Sequence, residues 1–348
     1  MTDYPTEIPG EILRVEDLAV EFPTEDGVVQ AVRGVSYSLH EREVLGIVGE
    51  SGSGKSVSSL AVMGLLPRGA RVRGRILYRG DDVLKLPARR RRGLRGRKIA
   101  MIFQDPMTAL NPVHTIGDQL AEAVLAHDLV PHKQALARAK EMLDLVGIPQ
   151  AEQRLRSYPH EFSGGMRQRA MIAMAVINNP DVIIADEPTT ALDVTVQAQI
   201  LEKLLEVKDA VNAAIVLITH DLGVVAGIAH RVLVMYAGKP VEVGDTDTIF
   251  YRPRMPYTAG LLGSMPSLET SGGRLRPIKG APPSLINLPS GCPFSPRCPL
   301  ADTRCHGEEP ALVEVDEGGH YAACHHWDQL AAVADPTALF RTESEPVT

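Results

Sequence analysis

Residues 49–56 read Gly49-Glu50-Ser51-Gly52-Ser53-Gly54-Lys55-Ser56, a complete G-x-x-x-x-G-K-[ST] loop, and the apolar run Val44–Val48 leads into it. The motif fixes local architecture as well as chemistry, because it requires a strand, a tight loop and a helix in that order. Phosphate oxygens need several donors at close range, and glycines let backbone N–H groups turn inward with no Cβ in the way. Gly49, Gly52 and Gly54 fill that role. The helix expected to start near Lys55 adds its positive end, Lys55 reaches the β- and γ-phosphates, and the Ser56 hydroxyl is a Mg²⁺ ligand. Glu50, Ser51, Ser53 and Val57 complete the expected ATP contacts.

Such a loop needs a partner strand that ends in a carboxylate, and Val182-Ile183-Ile184-Ala185-Asp186-Glu187 supplies one. Asp186 is the expected metal-side carboxylate, and Glu187 is placed to act as general base on the attacking water. The runs 98–103, charged only at Lys98, 182–185 and 215–218 are apolar rather than alternating, as in strands buried on both faces of a parallel sheet. Helical spacing lies between them at 166–177 and 197–207, which makes the core α/β. From 106 to 160 the alternation stops and helical stretches at 115–126 and 133–146 follow one another, an inserted helical subdomain that we extend to about 180. Residues 252–299, rich in proline and glycine, read as an extended segment leading to a separate small module, with polar ends at 1–10 and 335–348.

Composition narrows the function classes. A net charge of −7, from 36 basic and 43 acidic side chains, gives no electrostatic footprint for nucleic acid. Aromatic residues at 4% leave few base-stacking platforms. No apolar run approaches the roughly 18 residues that span a bilayer, and Met1 to Gly10 carries no signal-peptide pattern. The expected location is cytosolic or peripheral to a membrane.

Phe162-Ser163-Gly164-Gly165-Met166 opens directly into a helix, a second anion-ready N-terminus in a chain with one phosphate loop. With this order and spacing the sequence resembles the ATP-binding cassette (ABC) family, whose signature has the Ser-Gly-Gly form, although Phe162 and Met166 depart from its commonest version. The resemblance implies a RecA-like parallel core with an antiparallel β region, and a head-to-tail dimer that sandwiches ATP between the Lys55 loop of one subunit and Ser163, Gly164 and Gly165 of the other. It implies roles residue by residue. Gln104 matches the glutamine that senses Mg²⁺ and water, and Asp193, in Ala191-Leu192-Asp193, matches the aspartate that communicates across the dimer. His220 matches the switch histidine at the γ-phosphate. Phe22 matches the aromatic on adenine, with Tyr37 as a lesser substitute. Lys55, Gln104, Glu187 and His220 form the catalytic set, and Ser56, Gln104 and Asp186 the Mg²⁺ set.

Within that family, Phe103-Gln104-Asp105-Pro106-Met107-Thr108-Ala109-Leu110-Asn111-Pro112 and Tyr158-Pro159-His160-Glu161 resemble the ATPase subunits of bacterial dipeptide and oligopeptide importers. So do Pro256-Tyr257-Thr258, Gly291-Cys292-Pro293-Phe294 and Pro296-Arg297-Cys298-Pro299. Implied are an ATPase domain at 11–250, a C-terminal extension at 251–330 and a tail at 331–348. Implied partners are a second cassette, expected as a paralogue in a heterodimer, two permease subunits and an extracytoplasmic binding protein, with the chain at the cytoplasmic membrane face. A soluble ABC ATPase of DNA repair or translation, an importer of nickel or another small solute, and an exporter cassette are the alternatives.

All 4 cysteines, Cys292, Cys298, Cys305 and Cys324, lie in the extension as C-x₅-C-x₆-C-x₁₈-C. Disulfides are disfavoured in a chain without a secretion signal. Four thiolates suit zinc or a [4Fe–4S] cluster, and the spacing lacks the C-x₂-C knuckles usual for zinc. The importer resemblance also points to [4Fe–4S], which is the expectation here, with zinc and unligated thiols as the alternatives; His320, His325 and His326 flank Cys324 and are able to replace a thiolate, but read first as surface imidazoles.

Overall fold

The computed structural model describes residues 10–190, 192–265 and 278–340. The chain starts with a long hairpin, β1 (Glu11–Thr24) and β2 (Gly27–His40), then enters the core as β3 (Val44–Val48), which runs through the phosphate loop into α1 (Lys55–Met63). β4 (Arg71–Tyr78) and the short β5 (Asp81–Asp82) return to the hairpin and complete a four-stranded antiparallel sheet ordered β2-β1-β4-β5. After α2 (Ala88–Leu94) comes β6 (Ile99–Ile102), followed by a wholly helical stretch: α3 (Pro106–Ala109), α4 (Ile116–Leu125), α5 (His132–Leu145), α6 (Ala151–Arg154) and α7 (Gly164–Val176). The chain rejoins the core through β7 (Val182–Asp186), α8 (Val194–Val211), β8 (Ala214–Thr219), α9 (Leu222–Ile228), β9 (Arg231–Tyr236) and β10 (Lys239–Asp245). Beyond these lie α10 (Thr246–Tyr251), α11 (Pro256–Gly263), α12 (Thr303–Gly307), β11 (Val313–Asp316), β12 (His320–Ala322) and α13 (Trp327–Ala331).

The second sheet has eight strands in the order β11-β12-β10-β9-β3-β8-β7-β6, and its pairings from β9 to β6 are parallel. Its parallel strands β3, β6, β7, β8 and β9 are apolar but for residues at their ends because both faces are covered, and the side chains divide with period two. Leu45, Ile47, Val182, Ile184, Val216, Ile218, Leu233 and Met235 pack with α1 and the antiparallel sheet. Val44, Val48, Ile183, Ala185, Ile215, Leu217, Val232 and Val234 pack against the helical side. The loops that carry the candidate site residues therefore emerge from a layer closed above and below. Short polar side chains start the helices around them: Thr115, Ser163, Asp193 and Asp221 each accept a backbone N–H in the first turn of α4, α7, α8 and α9.

Two sequence expectations change here. Of the segment 252–299 expected to be extended, α11 is helical, with Tyr257, Thr258, Ala259 and Gly260 buried; Pro256 opens the helix at a position that needs no N–H. The part at 266–277, like the ends 1–9 and 341–348, lies outside the described residues. The C-terminal segment is also not set apart, because β12 pairs antiparallel with β10 and extends the core sheet. Glu242 of β10 is fully buried beneath it, accepting backbone N–H groups of Arg254 and Met255 and contacting His320 at 2.9 Å.

Candidate functional site

Backbone shape makes the phosphate loop. Gly49 and Gly54 have φ of +150° and +98°, and a Cβ on either would come within 2.2 Å of the Met235 carbonyl oxygen or 2.3 Å of that of Ala31. Gly52 also has positive φ, +79°, but open space around it. Lys55 is 5% exposed, and its Nζ turns back to donate to the carbonyls of Gly49 at 2.7 Å and Glu50 at 2.9 Å. Burial lowers the Lys55 pKa, opposed by the charges of Glu187, Asp186 and Glu50. The loop's backbone N–H groups and this ammonium are donors of the kind that phosphate oxygens need.

Opposite the loop, the Ser56 hydroxyl donates to Asp186 Oδ1 at 2.9 Å. Asp186 is 5% exposed at the end of β7. Burial raises its pKa, the Ser56 hydrogen bond works the other way, and the Glu187 charge raises it further. The next residue faces elsewhere, because Glu187 has φ +45° and its N–H donates to the Ile218 carbonyl at 2.9 Å. That left-handed turn, costly for a residue with a Cβ, aims its carboxylate at the loops after β6 and β8. Gln104 Nε2 donates to Glu187 at 2.9 Å, the Thr190 hydroxyl at 2.8 Å, and His220 Nδ1 lies 3.3 Å away. Burial acts against ionisation of Glu187, yet the Thr190 and His220 contacts prevail and hold its carboxyl below the usual range.

The chain thus brings together Lys55, Ser56, Asp186, Glu187, Gln104 and His220, drawn from four loops at the ends of parallel strands. Ser163 and Gly164 are exposed at the start of α7, and among the described residues no hydrogen bond ties them or Gly165 to residues 49–56. Asp193 caps α8, accepting from Val196 N–H at 3.0 Å, while its neighbour Ala191 is outside the described residues. Phe22 sits on β1 opposite Val29, partly buried against the antiparallel sheet, whereas Tyr37 is buried within that sheet's core. Thr190 escaped the sequence reading, although it stands three residues after Glu187 in a turn-forming Pro-Thr-Thr. Tyr257 and Arg297, read in the sequence only as part of the C-terminal resemblance, also reach the site: the Tyr257 hydroxyl accepts from Glu50 N–H at 2.8 Å, and Arg297 pairs with the Glu50 carboxylate. No local pattern announces contacts made more than 200 residues apart in sequence.

Known proteins place this geometry. The family model described as ABC transporter matches residues 32–190, and the model described as oligopeptide/dipeptide transporter, C-terminal region, matches 241–305. A dipeptide transport ATP-binding protein of Bacillus subtilis is 54% identical over 323 residues, 92% of this chain and 96% of that protein. An oligopeptide transport ATP-binding protein of Salmonella typhimurium is 51% identical, over 90% of this chain and 93% of its own. Among solved structures, the ATP-binding cassette MJ0796, in a dimeric post-hydrolysis state bound to ADP and Pi, superposes with a TM-score of 0.60. It shares 24% identity and covers 68% of this chain and 99% of itself, so it supports the fold alone. cbiO1 of Clostridium perfringens, 27% identical, gives a TM-score of 0.59 over 70% of this chain and 92% of its own.

The same comparisons overturn the expected [4Fe–4S] cluster. The relatives are named plainly as transport ATP-binding proteins, and neither matching family description carries an iron–sulfur cofactor. The cysteines have another use in the fold. Cys292 and Cys305 belong to the apolar core, with Cys298 and Cys324 packed against it. Burial pushes all four thiols up, Cys298 and Cys324 to about 12. Four-thiolate zinc is not supported either. Among the described residues, the one set of three or more metal-type ligands with atoms mutually within 4.8 Å is Asp302, Cys305 and His326, which includes a single cysteine. With the phosphate loop, the paired carboxylates and near-full-length relatives in agreement, this chain belongs to the ABC transporter family of ATP-binding proteins, in the group that carries the oligopeptide/dipeptide transporter C-terminal region.

Proposed function

We propose that this chain is the ATP-binding and ATP-hydrolysing subunit that powers peptide import through a membrane ABC transporter. The observation that carries the proposal is the 54% identity to a dipeptide transport ATP-binding protein along 96% of that protein's length. The site supports it chemically. The γ-phosphate of ATP takes its oxygens to the loop N–H groups and to Lys55, which exchanges its carbonyl partners for the anion. Ser56 and Asp186 offer a hydroxyl and a carboxylate 2.9 Å apart, an all-oxygen pair suited to Mg²⁺. Bound there, Mg²⁺ supplies charge neutralisation at the β- and γ-phosphates. Glu187, kept ionised, takes a proton from water as that water's oxygen bonds to the γ-phosphorus and the bond to the ADP oxygen breaks. Gln104, Thr190 and His220 hold its carboxylate in one orientation, and Gln104 and His220 are positioned to report nucleotide state to the protein surface.

The exposed Ser163-Gly164-Gly165 start of α7 serves the ATP of a second cassette, a paralogue in this proposal, with Asp193 at the same junction and Phe22 on the adenine. No helix among the described residues is long and apolar enough to cross a membrane. Two permease subunits and an extracytoplasmic solute-binding protein complete the importer, with this chain at the cytoplasmic face. The division into an ATPase domain at 11–250, with its helical subdomain near 106–180, and an extension at 251–330 belongs to the same proposal. Uptake of labelled di- and oligopeptides in cells lacking this chain, restored by the wild type and not by Glu187→Gln, is the expected result. Normal peptide uptake with loss of nickel uptake, or with a DNA-repair defect, would move the chain to one of the other classes.

A further inference from the structure

The side chain of Arg297 is 4% exposed, and the residue lies in the turn between Cys292 and Cys298, far from the phosphate loop in sequence. Its guanidinium grips the Glu50 carboxylate with both arms, Nη1 to Oε2 at 2.6 Å and Nη2 to Oε1 at 2.8 Å. The fork is held from behind. It lies over the rings of Tyr236 at 5.9 Å and Phe294 at 5.8 Å, and also donates to Tyr236 Oη at 3.2 Å and the Lys279 carbonyl at 3.2 Å. Those rings form one aromatic cluster with Tyr257, at centroid separations of 4.5 to 5.4 Å, and the Tyr257 hydroxyl accepts the backbone N–H of the same Glu50. The Glu50 carbonyl in turn receives Lys55 Nζ. Glu50 is therefore held at its side chain and at both ends of its main chain, two of those three ties coming from residues beyond 250.

We propose that the C-terminal region acts on the nucleotide site through Arg297, a positioning residue that fixes the Glu50 segment of the phosphate loop and neutralises its carboxylate where the triphosphate binds. This rests on the assignment of residues 49–56 to ATP phosphates. Without Arg297 an uncompensated negative charge stands beside an anion site, and in a partly desolvated loop such a charge is poorly screened. A lysine does not replace the fork, because one ammonium cannot hold two carboxylate oxygens in a plane. The extension becomes part of the ATP site, so that displacement of the 292–298 turn changes nucleotide affinity.

The test uses the full chain in its membrane complex, with Mg²⁺-ATP as the probe. Arg297→Met is expected to raise the Kd for ATP and the KM for hydrolysis about tenfold, with kcat within about twofold, the pattern of lost uniform binding. Adding Glu50→Gln to Arg297→Met is expected to recover most of that affinity, because the uncompensated charge is gone although the tie is still broken. Should the methionine variant fail to fold, Arg297→Gln, which keeps a hydrogen bond and drops the charge, undergoes the same rescue. An unchanged Kd with a lowered melting temperature, or a loss of affinity that Glu50→Gln does not repair, overturns the proposal in favour of a purely structural tie. Lys55→Ala serves as the control: normal ATP binding by that variant would instead remove the nucleotide site itself.

Discussion

Replacing Asp186 by asparagine is expected to stabilise the empty chain while removing its response to Mg²⁺-ATP. Asp186 is 5% exposed, its hydrogen-bond partner among the described residues is the neutral Ser56 hydroxyl at 2.9 Å, and the like charge of Glu187 next to it outweighs the opposite charge of Lys55. Asparagine keeps the shape and the oxygen that accepts from Ser56, and drops the charge. Burial raises the Asp186 pKa above its ordinary 3.8, so the folded chain holds this proton more tightly than the unfolded one. The destabilisation it causes is absent below the unfolded value, sets in as pH rises through that value, and is complete above the folded value. At pH 7.5 the variant should therefore gain about 1 kcal/mol, the usual scale when a functional site is relieved of strain. Saturating nucleotide reverses the order. At 100 times Kd a ligand adds about 2.7 kcal/mol to whichever form binds it, and the asparagine variant lacks the carboxylate that Mg²⁺ requires. Urea unfolding between pH 3.5 and 7.5, with and without Mg²⁺-ATP, measures both effects. An empty variant less stable than wild type at pH 7.5, or one still stabilised fully by Mg²⁺-ATP, would refute the reasoning.

Other perturbations separate the parts of the site. Glu187→Gln keeps the contacts to Gln104 and Thr190 in outline but cannot take a proton, so single-turnover hydrolysis should fall by about 10²–10⁴ with Mg²⁺-ATP still bound; near-normal turnover would remove Glu187 as the base. Gly54→Ala forces a Cβ to within 2.3 Å of the Ala31 carbonyl oxygen and should abolish nucleotide binding, whereas Gly52→Ala, with open space around it, should cost only about 1 kcal/mol of backbone strain. Equal ATP affinities for the two variants would show that shape at Gly54 is unimportant. Phe294→Ala removes a fully buried ring from the cluster with Tyr236 and Tyr257 and should cost about 3–5 kcal/mol in chemical unfolding; a cost below about 1 kcal/mol would mean that the C-terminal region does not share the core.

What could be read in advance follows from how locally each feature is encoded. The phosphate loop, the strand ending at Asp186 and Glu187, and the helix start at Ser163 are contiguous backbone devices, and their residues announce them. The buried parallel strands were equally legible: the run 98–103 became Ile99–Ile102, and 215–218 grew to Ala214–Thr219. The antiparallel sheet came only from the family resemblance, since β1 and β4 mix Arg14, Glu16, Arg73 and Arg75 with apolar residues and blur the alternation. The segment 252–299 read as extended from its proline and glycine content because proline at a helix start, as Pro256 is in α11, and proline in a loop look alike in one dimension. The cysteines suggested ligands by their clustering, which apolar packing of Cys292 and Cys305 explains as well. The contacts of Arg297 and Tyr257 to Glu50 depend on how the sheet brings distant loops together, information that no window of sequence contains.

The most direct measurement is ATP hydrolysis in liposomes by this chain assembled with its second cassette and two permease subunits, with and without binding protein and peptide. Hydrolysis that rises when peptide-loaded binding protein is added, and vanishes with Glu187→Gln, is the predicted result. Hydrolysis that proceeds at one rate whether or not the membrane subunits and peptide are present would contradict an importer motor.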